Sequence, residues 1–229
     1  MGFVSGFASF GRYFHKSALT SLVALGIAVV PVVALTGLSL PAQAQTQQQA
    51  DDVARFDPEI IERIETYLNN ITTLKADFVQ ISSDGGAADG QLFMERPGKM
   101  RFEYNPPAQI LLVSTGHDLI YFDKEINAPT YFSIDETPAG VILADQVSLS
   151  RDVRVIDLRR AAGTTRVTLV RRKDPGAGTV TLVFQDNPMQ LRQWIVADAA
   201  GVETTVTLFD TVQGISLDPE LFKFKRIWQ

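Results

Sequence analysis

Few residues in this chain are equipped for covalent chemistry. Cysteine is absent, and beyond residue 44 histidine occurs once, as His117 in the turn Thr115-Gly116-His117-Asp118. Zinc sites and Cys/His nucleophile pairs therefore lack ligands or partners, and a lone turn histidine reads as solvated. Ser-x-x-Lys, Gly-x-Ser-x-Gly, His-Glu-x-x-His and phosphate-cradling glycine motifs are missing from the same stretch. Asp84 with Asp89, or Asp135 with Glu136, could act as acid/base pairs or calcium ligands. All four fall in turns, where Asp caps the backbone, and neither set has the graded spacing of a calcium loop. Asn70-Ile71-Thr72 matches a glycosylation sequon at a helix end, a triplet that arises readily by chance. The expectation is a non-enzyme with no metal and no cofactor.

What stands out is apolar: Phe78, Leu92, Met94, Met100, Phe102, Tyr104, Leu112, Tyr121, Phe132 and Val141, Ile142 and Leu143. A closed core accounts for such a set as well as a ligand cavity does. Arg96 disturbs the picture, because strand alternation puts it in phase with Leu92 and Met94. A cation on an apolar side needs acceptors, since burying it unpaired is costly.

The elements that must position these residues can be read from period and punctuation. Asp57-Pro58 supplies an N-cap and a first-turn proline, and Ile60, Ile61, Ile64, Tyr67, Leu68 and Ile71 recur at helical spacing. The period then becomes two. Strands are expected at 74–82, 90–96, 99–104, 109–114, 118–123 and 129–134, separated by Ser83-Asp84-Gly85-Gly86, Pro97-Gly98 and Asn105-Pro106-Pro107. Residues 135–148 lose the alternation and read as a short helix and loop crossing the sheet. Strands resume at 153–159, 165–171, 179–185, 191–198 and 202–210, with hairpin-length turns between them. About eleven strands in one domain are too many for a flat sheet, so a barrel or half-barrel is expected, with a concave side that has to be filled.

The start of the chain reads as an export signal. Arg12, His15 and Lys16 precede an apolar stretch from Ala18 to Leu40, and Pro41-Ala42-Gln43-Ala44 offers a cleavage site after Ala44. An uncleaved membrane anchor is the competing reading, because the stretch is long enough to span a bilayer. Pro31, Gly26 and Gly37 loosen such a helix. Residues 45–56 read as a disordered polar tether and 57–229 as a single domain. The first 44 residues hold two of the 21 basic residues and none of the 26 acidic ones, leaving a net charge of −7 beyond them. That balance argues against nucleic acid as a partner, and the clusters Arg159-Arg160 and Arg171-Arg172-Lys173 sit at strand ends, where solvated charge is ordinary. The missing cysteine excludes a disulfide framework and also a lipid attachment point after the cleavage site.

In order along the chain, Phe78-Val79-Gln80, Gly90-Gln91-Leu92-Phe93-Met94-Glu95-Arg96-Pro97, Met100-Arg101-Phe102-Glu103-Tyr104, Pro107, the segment from Val113 to Phe122 and the closing Gly214-Ile215-Ser216-Leu217-Asp218-Pro219-Glu220-Leu221-Phe222 resemble the periplasmic lipoprotein-carrier family LolA. The resemblance spans nearly the whole chain after the export signal. It implies a mainly β fold: an incomplete, half-open antiparallel β-barrel of about eleven strands with an N-terminal helix and a short helical lid. It also implies a monomeric periplasmic chaperone that accepts lipoprotein acyl chains from an inner-membrane ABC-type release complex and hands them to an outer-membrane acceptor.

By the same resemblance, Arg96 corresponds to the arginine that holds the lid through backbone carbonyls, and Thr137-Pro138 to Ala144 is the lid. The lipid cavity is expected to be lined by Phe78, Leu92, Met94, Met100, Phe102, Tyr104, Leu112, Tyr121, Val141, Ile142 and Leu143. Two positions depart from the family pattern: Met100, where an aromatic is frequent, and Gly140 among the apolar residues of the lid. The rival expectation is a periplasmic lipid-sensing or protein-interaction domain on the same half-barrel. A lidded cavity favours the first and a filled core with an exposed apolar patch the second.

Overall fold

In a computed structural model of the protein, residues 56–137 and 139–225 are described. The expected export signal, its expected cleavage site and nearly all of the expected tether lie outside them. Helix α1 (Pro58–Asn70) starts as its sequence demands, with the Asp57 carboxylate accepting from Glu59 N and proline at the first position. Ile60, Ile64 and Leu68 form its buried stripe.

Eleven antiparallel strands follow: β1 (Thr73–Ser82), β2 (Ala87–Glu95), β3 (Lys99–Tyr104), β4 (Ile110–Thr115), β5 (Asp118–Asp123), β6 (Ala128–Ser133), β7 (Val153–Ala161), β8 (Thr164–Arg171), β9 (Gly178–Asp186), β10 (Met189–Asp198) and β11 (Glu203–Gln213). They form one sheet in the order β6-β5-β4-β3-β2-β1-β11-β10-β9-β8-β7. The first strand thus pairs with the last in the middle of the sheet, and β6 and β7 are left as its two open edges. The chain between them, a 3₁₀ turn at Ile134–Glu136, helix α2 (Ala139–Leu143) and the loop to residue 152, is the lid segment. One stretch therefore both connects the two edges and supplies the cover.

Alternation sorts the strands. β1 buries Leu74, Ala76, Phe78, Gln80 and Ser82 and turns Asp77, Val79 and Ile81 outward. The inward residues of both sheet halves, the α1 stripe and Ala139, Ile142 and Leu143 of α2 merge into one core. A smaller cluster on the outer face, Leu111, Val113, Ile120 and Phe122, packs against Phe224 from the chain's last segment. β2 ends at Glu95, one residue before the expected end, although the Arg96 N–H still donates in register to Thr72 O at 2.8 Å before Pro97 breaks the strand.

Candidate functional site

Arg96 is half-buried, and its guanidinium sits where two elements end. Nη1 donates to Leu68 O, and to Ile71 O at 3.4 Å. Nη2 donates to Ala144 O at 2.6 Å, and at 3.4 Å to Asp145 O and Asn69 Oδ1. The last turn of α1 carries no basic residue of its own, so its terminal carbonyls and negative dipole end receive their cation from the end of β2. The same fork reaches the end of the lid helix, which a planar five-donor group can do and a point charge cannot. Burial pulls the guanidinium below its ordinary pKa, with Asp145 opposing, and it stays charged at any physiological pH.

The lid has further attachments that sequence reasoning missed. Gly98, in the turn after Arg96-Pro97, donates its N–H to Leu143 O at 2.9 Å. Asn69 on α1 holds Val147 in both directions, Nδ2 donating to its carbonyl at 3.0 Å and Oδ1 accepting from its N–H at 2.8 Å. Glu65 accepts from Leu149 N at 2.6 Å. Spacing along α1 was the available signal, since Glu65 and Asn69 are four apart and share one helix face. Gly140 is explained by its surroundings: a Cβ there would lie 2.5 Å from Ile134 O, so glycine lets α2 fold tightly onto the preceding turn.

Of the expected cavity residues, Met100, Phe102, Tyr104, Leu112 and Ile142 border the residual cavity, while Phe78, Leu92, Met94, Tyr121 and Leu143 lie in the surrounding core without lining it. Phe78, Leu92, Met94, Met100, Phe102, Tyr104, Leu112, Tyr121, Ile142 and Leu143 are all buried in the single core. Phe78 meets Phe102 and Tyr104 edge to face at 4.9 and 5.1 Å between centroids, and Phe102 meets Trp194 at 6.0 Å and 90°. Tyr104 donates its hydroxyl to Gln80 Oε1 at 2.9 Å, and burial, with Tyr121 nearby, pushes its pKa well above the usual phenol value. Val141 is half-buried and borders an outer groove beside Arg151, Arg171 and Lys173 instead of the cavity.

The residual cavity is about 30 Å³, bounded by Met100, Phe102, Tyr104 and Leu112 from one half of the sheet, Val180, Trp194, Val196 and Val206 from the other, and Ala139 and Ile142 from α2. That is room for one or two waters, against the several hundred Å³ of a drug-sized ligand site. α2 is thus packed down onto the concave face, with little free space between them. The contributions of β9, β10 and β11 were missed by sequence reasoning, although their alternation carries the same signal as β2 and β3. Among the residues considered for chemistry, His117 is exposed in the β4–β5 turn, Asp84, Asp135 and Glu136 lie at the surface, and Asp89, expected in a turn, is an exposed residue of β2 that accepts from Asn105 Nδ2. Among the described residues no helix is long and apolar enough to cross a membrane.

The family model described as "Outer membrane lipoprotein carrier protein LolA" matches residues 69–225. A protein of Methylococcus capsulatus named outer-membrane lipoprotein carrier protein is 26% identical over 171 residues, covering 71% of this chain and 81% of that protein. One of the same name from Azotobacter vinelandii is 27% identical over 181 residues, covering 75% and 86%. Among solved structures, a LolA superfamily protein of Nitrosomonas europaea aligns with a TM-score of 0.42 at 12% identity, covering 72% of this chain and 97% of that one. With the family model spanning well over half of its length, the chain belongs to the LolA family of outer membrane lipoprotein carrier proteins.

Proposed function

We propose that this protein is a periplasmic carrier that shelters the acyl chains of lipoproteins released from the inner membrane by an ABC-type complex and passes them to an outer-membrane acceptor. The observation that carries the reading is the apolar cavity under a lid whose end is tied to α1 and β2 by Arg96. Each CH₂ withdrawn from water is worth about 0.8 kcal/mol, so a chain of about 16 carbons gains on the order of 10 kcal/mol inside. Entry requires displacing Ile142 and Leu143, whose burial is worth about 1.5–3 kcal/mol each, and breaking the lid's hydrogen bonds. The opening cost offsets part of the acyl gain, which suits a carrier that must also release its guest. No covalent step is involved.

The rival reading, a lipid-sensing or interaction domain, is favoured by Val79, Ile81, Phe209 and Val212, which are 36–56% exposed on the outer side of β1 and β11. Titration with a fluorescent long-chain acyl probe separates the two. The carrier reading expects saturable binding that is lost when Phe102 and Trp194 are replaced by charged residues. Absence of binding by the folded protein would overturn it.

A further inference from the structure

At the end remote from Arg96 the concave face turns polar. β1 runs about 30 Å from Thr73, beside the lid, to Ser82, and its last two inward positions are Gln80 and Ser82. Ser82 faces Thr204 on β11, and Thr204 faces Val196 on β10. Gln80, Ser82 and Thr204 are 6, 5 and 4% exposed, and Gln80 and Thr204 line the same cavity as Ile142 of the lid. Gln80 spends its carbonyl oxygen on the Tyr104 hydroxyl, leaving the amide hydrogens to donate. Among the described residues, Ser82 Oγ is buried without a hydrogen-bond partner, as is Asp198 Oδ2 on the same side of β10, while Asp198 Oδ1 accepts from Ala200 and Val202 N–H. Alanine or valine at position 82 would close this end without leaving a hydroxyl unsatisfied. A buried polar atom with no partner in the closed protein marks a place where a guest can supply one.

We propose that this end seats the polar linkage of the guest: ester or amide oxygens of an acylated glycerol accept from Ser82, Gln80 and Thr204, while the hydrocarbon runs along β3 toward Met100 and the lid. The site thereby fixes which way a lipid enters and favours acyl esters and amides over bare hydrocarbon. The assignment rests on the carrier reading above and adds orientation and linkage specificity to it. The shared chemistry is the diacylglyceryl group, present both in a lipid-modified amino-terminal cysteine and in a phospholipid.

The test compares wild type, Ser82→Ala and Ser82→Ala/Thr204→Val for binding of three probes: a diacylglyceryl-cysteine peptide, a phosphatidylglycerol with the same chains, and a chain-matched hydrocarbon without any polar linkage. Losing a net hydrogen bond corresponds to a factor of about five in affinity. The expected result is roughly fivefold or greater weakening for the diacylglyceryl probes with hydrocarbon binding no weaker, the tighter of the two for wild type naming the source. Ser82→Ala should melt no lower than wild type, because it removes an unsatisfied group. Equal effects on all three probes, or none, overturn the assignment alone. Wild type that binds none of the three removes the carrier reading and this assignment with it.

Discussion

Replacing Arg96 with leucine should loosen the lid before it loosens the fold. The arginine makes one short bond to the lid, Nη2 to Ala144 O at 2.6 Å, and a long one to Asp145 O at 3.4 Å. A hydrogen bond to a charged group contributes about 1.5–3 kcal/mol. Arg96 is half-exposed and the Ala144 and Asp145 carbonyls can turn to water, so about 1–2 kcal/mol of lid closure is the defensible share. That raises the open population roughly 5–30-fold. The lid remains mostly shut, because Gly98 N to Leu143 O and the paired Asn69–Val147 bonds survive.

The chain has no cysteine, so Ile142→Cys, at a site 7% exposed, gives a single thiol whose labelling rate reads opening. In the Arg96→Leu background that rate should rise 5–30-fold. A second reporter, Leu182→Cys, at a site 0% exposed on β9, should not change. An unaltered rate at the lid, or equal acceleration at both sites, would refute the latch.

Other outcomes follow from the same geometry. Gly140→Ala places a Cβ 2.5 Å from Ile134 O and should speed labelling of Ile142→Cys with little change in melting temperature. Trp194 lines the cavity, so a brominated acyl chain should quench tryptophan emission in wild type and much less in Trp194→Phe. Burial holds the Tyr104 phenol neutral in the fold, whereas in the unfolded chain it ionises near its ordinary value of about 10. Above that value the unfolded state binds fewer protons, so Tyr104 makes stability fall with rising pH until its own raised pKa is passed. Absorbance titration of wild type against Tyr104→Phe should show its ionisation only as the circular dichroism is lost. Ionisation near pH 10 in the folded protein would contradict the burial. Asp57→Ala removes the carboxylate that accepts from Glu59 N and should cost about 1 kcal/mol, measured by urea denaturation.

Much of the architecture is legible in the chain because it depends on local rules. Asp57-Pro58 announces α1, alternation or short apolar runs bounded by turn residues mark the eleven strands, and the loss of alternation after Asp135 marks the lid. Local patterning does not reveal the partners of Arg96, since backbone carbonyls carry no side-chain signature; a lid carbonyl was implied by the resemblance, those at the end of α1 were not. Their vacancy leaves a trace only in the missing basic residue at the end of α1. The Gly98–Leu143 bond is hidden for the same reason. Val180, Val196 and Val206 were readable in principle, but β-branched residues on alternating strands look like ordinary core until the fold brings β9–β11 opposite β3. That the cavity shrinks to about 30 Å³ is a property of packing in three dimensions, which no pattern along the chain encodes.

The central claim, that the space under the lid exists to hold lipoprotein acyl chains, is tested most directly by native mass spectrometry of the protein recovered from its own cells. The account predicts a population whose added mass matches intact lipoproteins and is at least as large in Arg96→Leu, whose lid costs less to open. Recovery of wild type wholly free of lipid-modified protein, while lipoproteins are being exported, would contradict it.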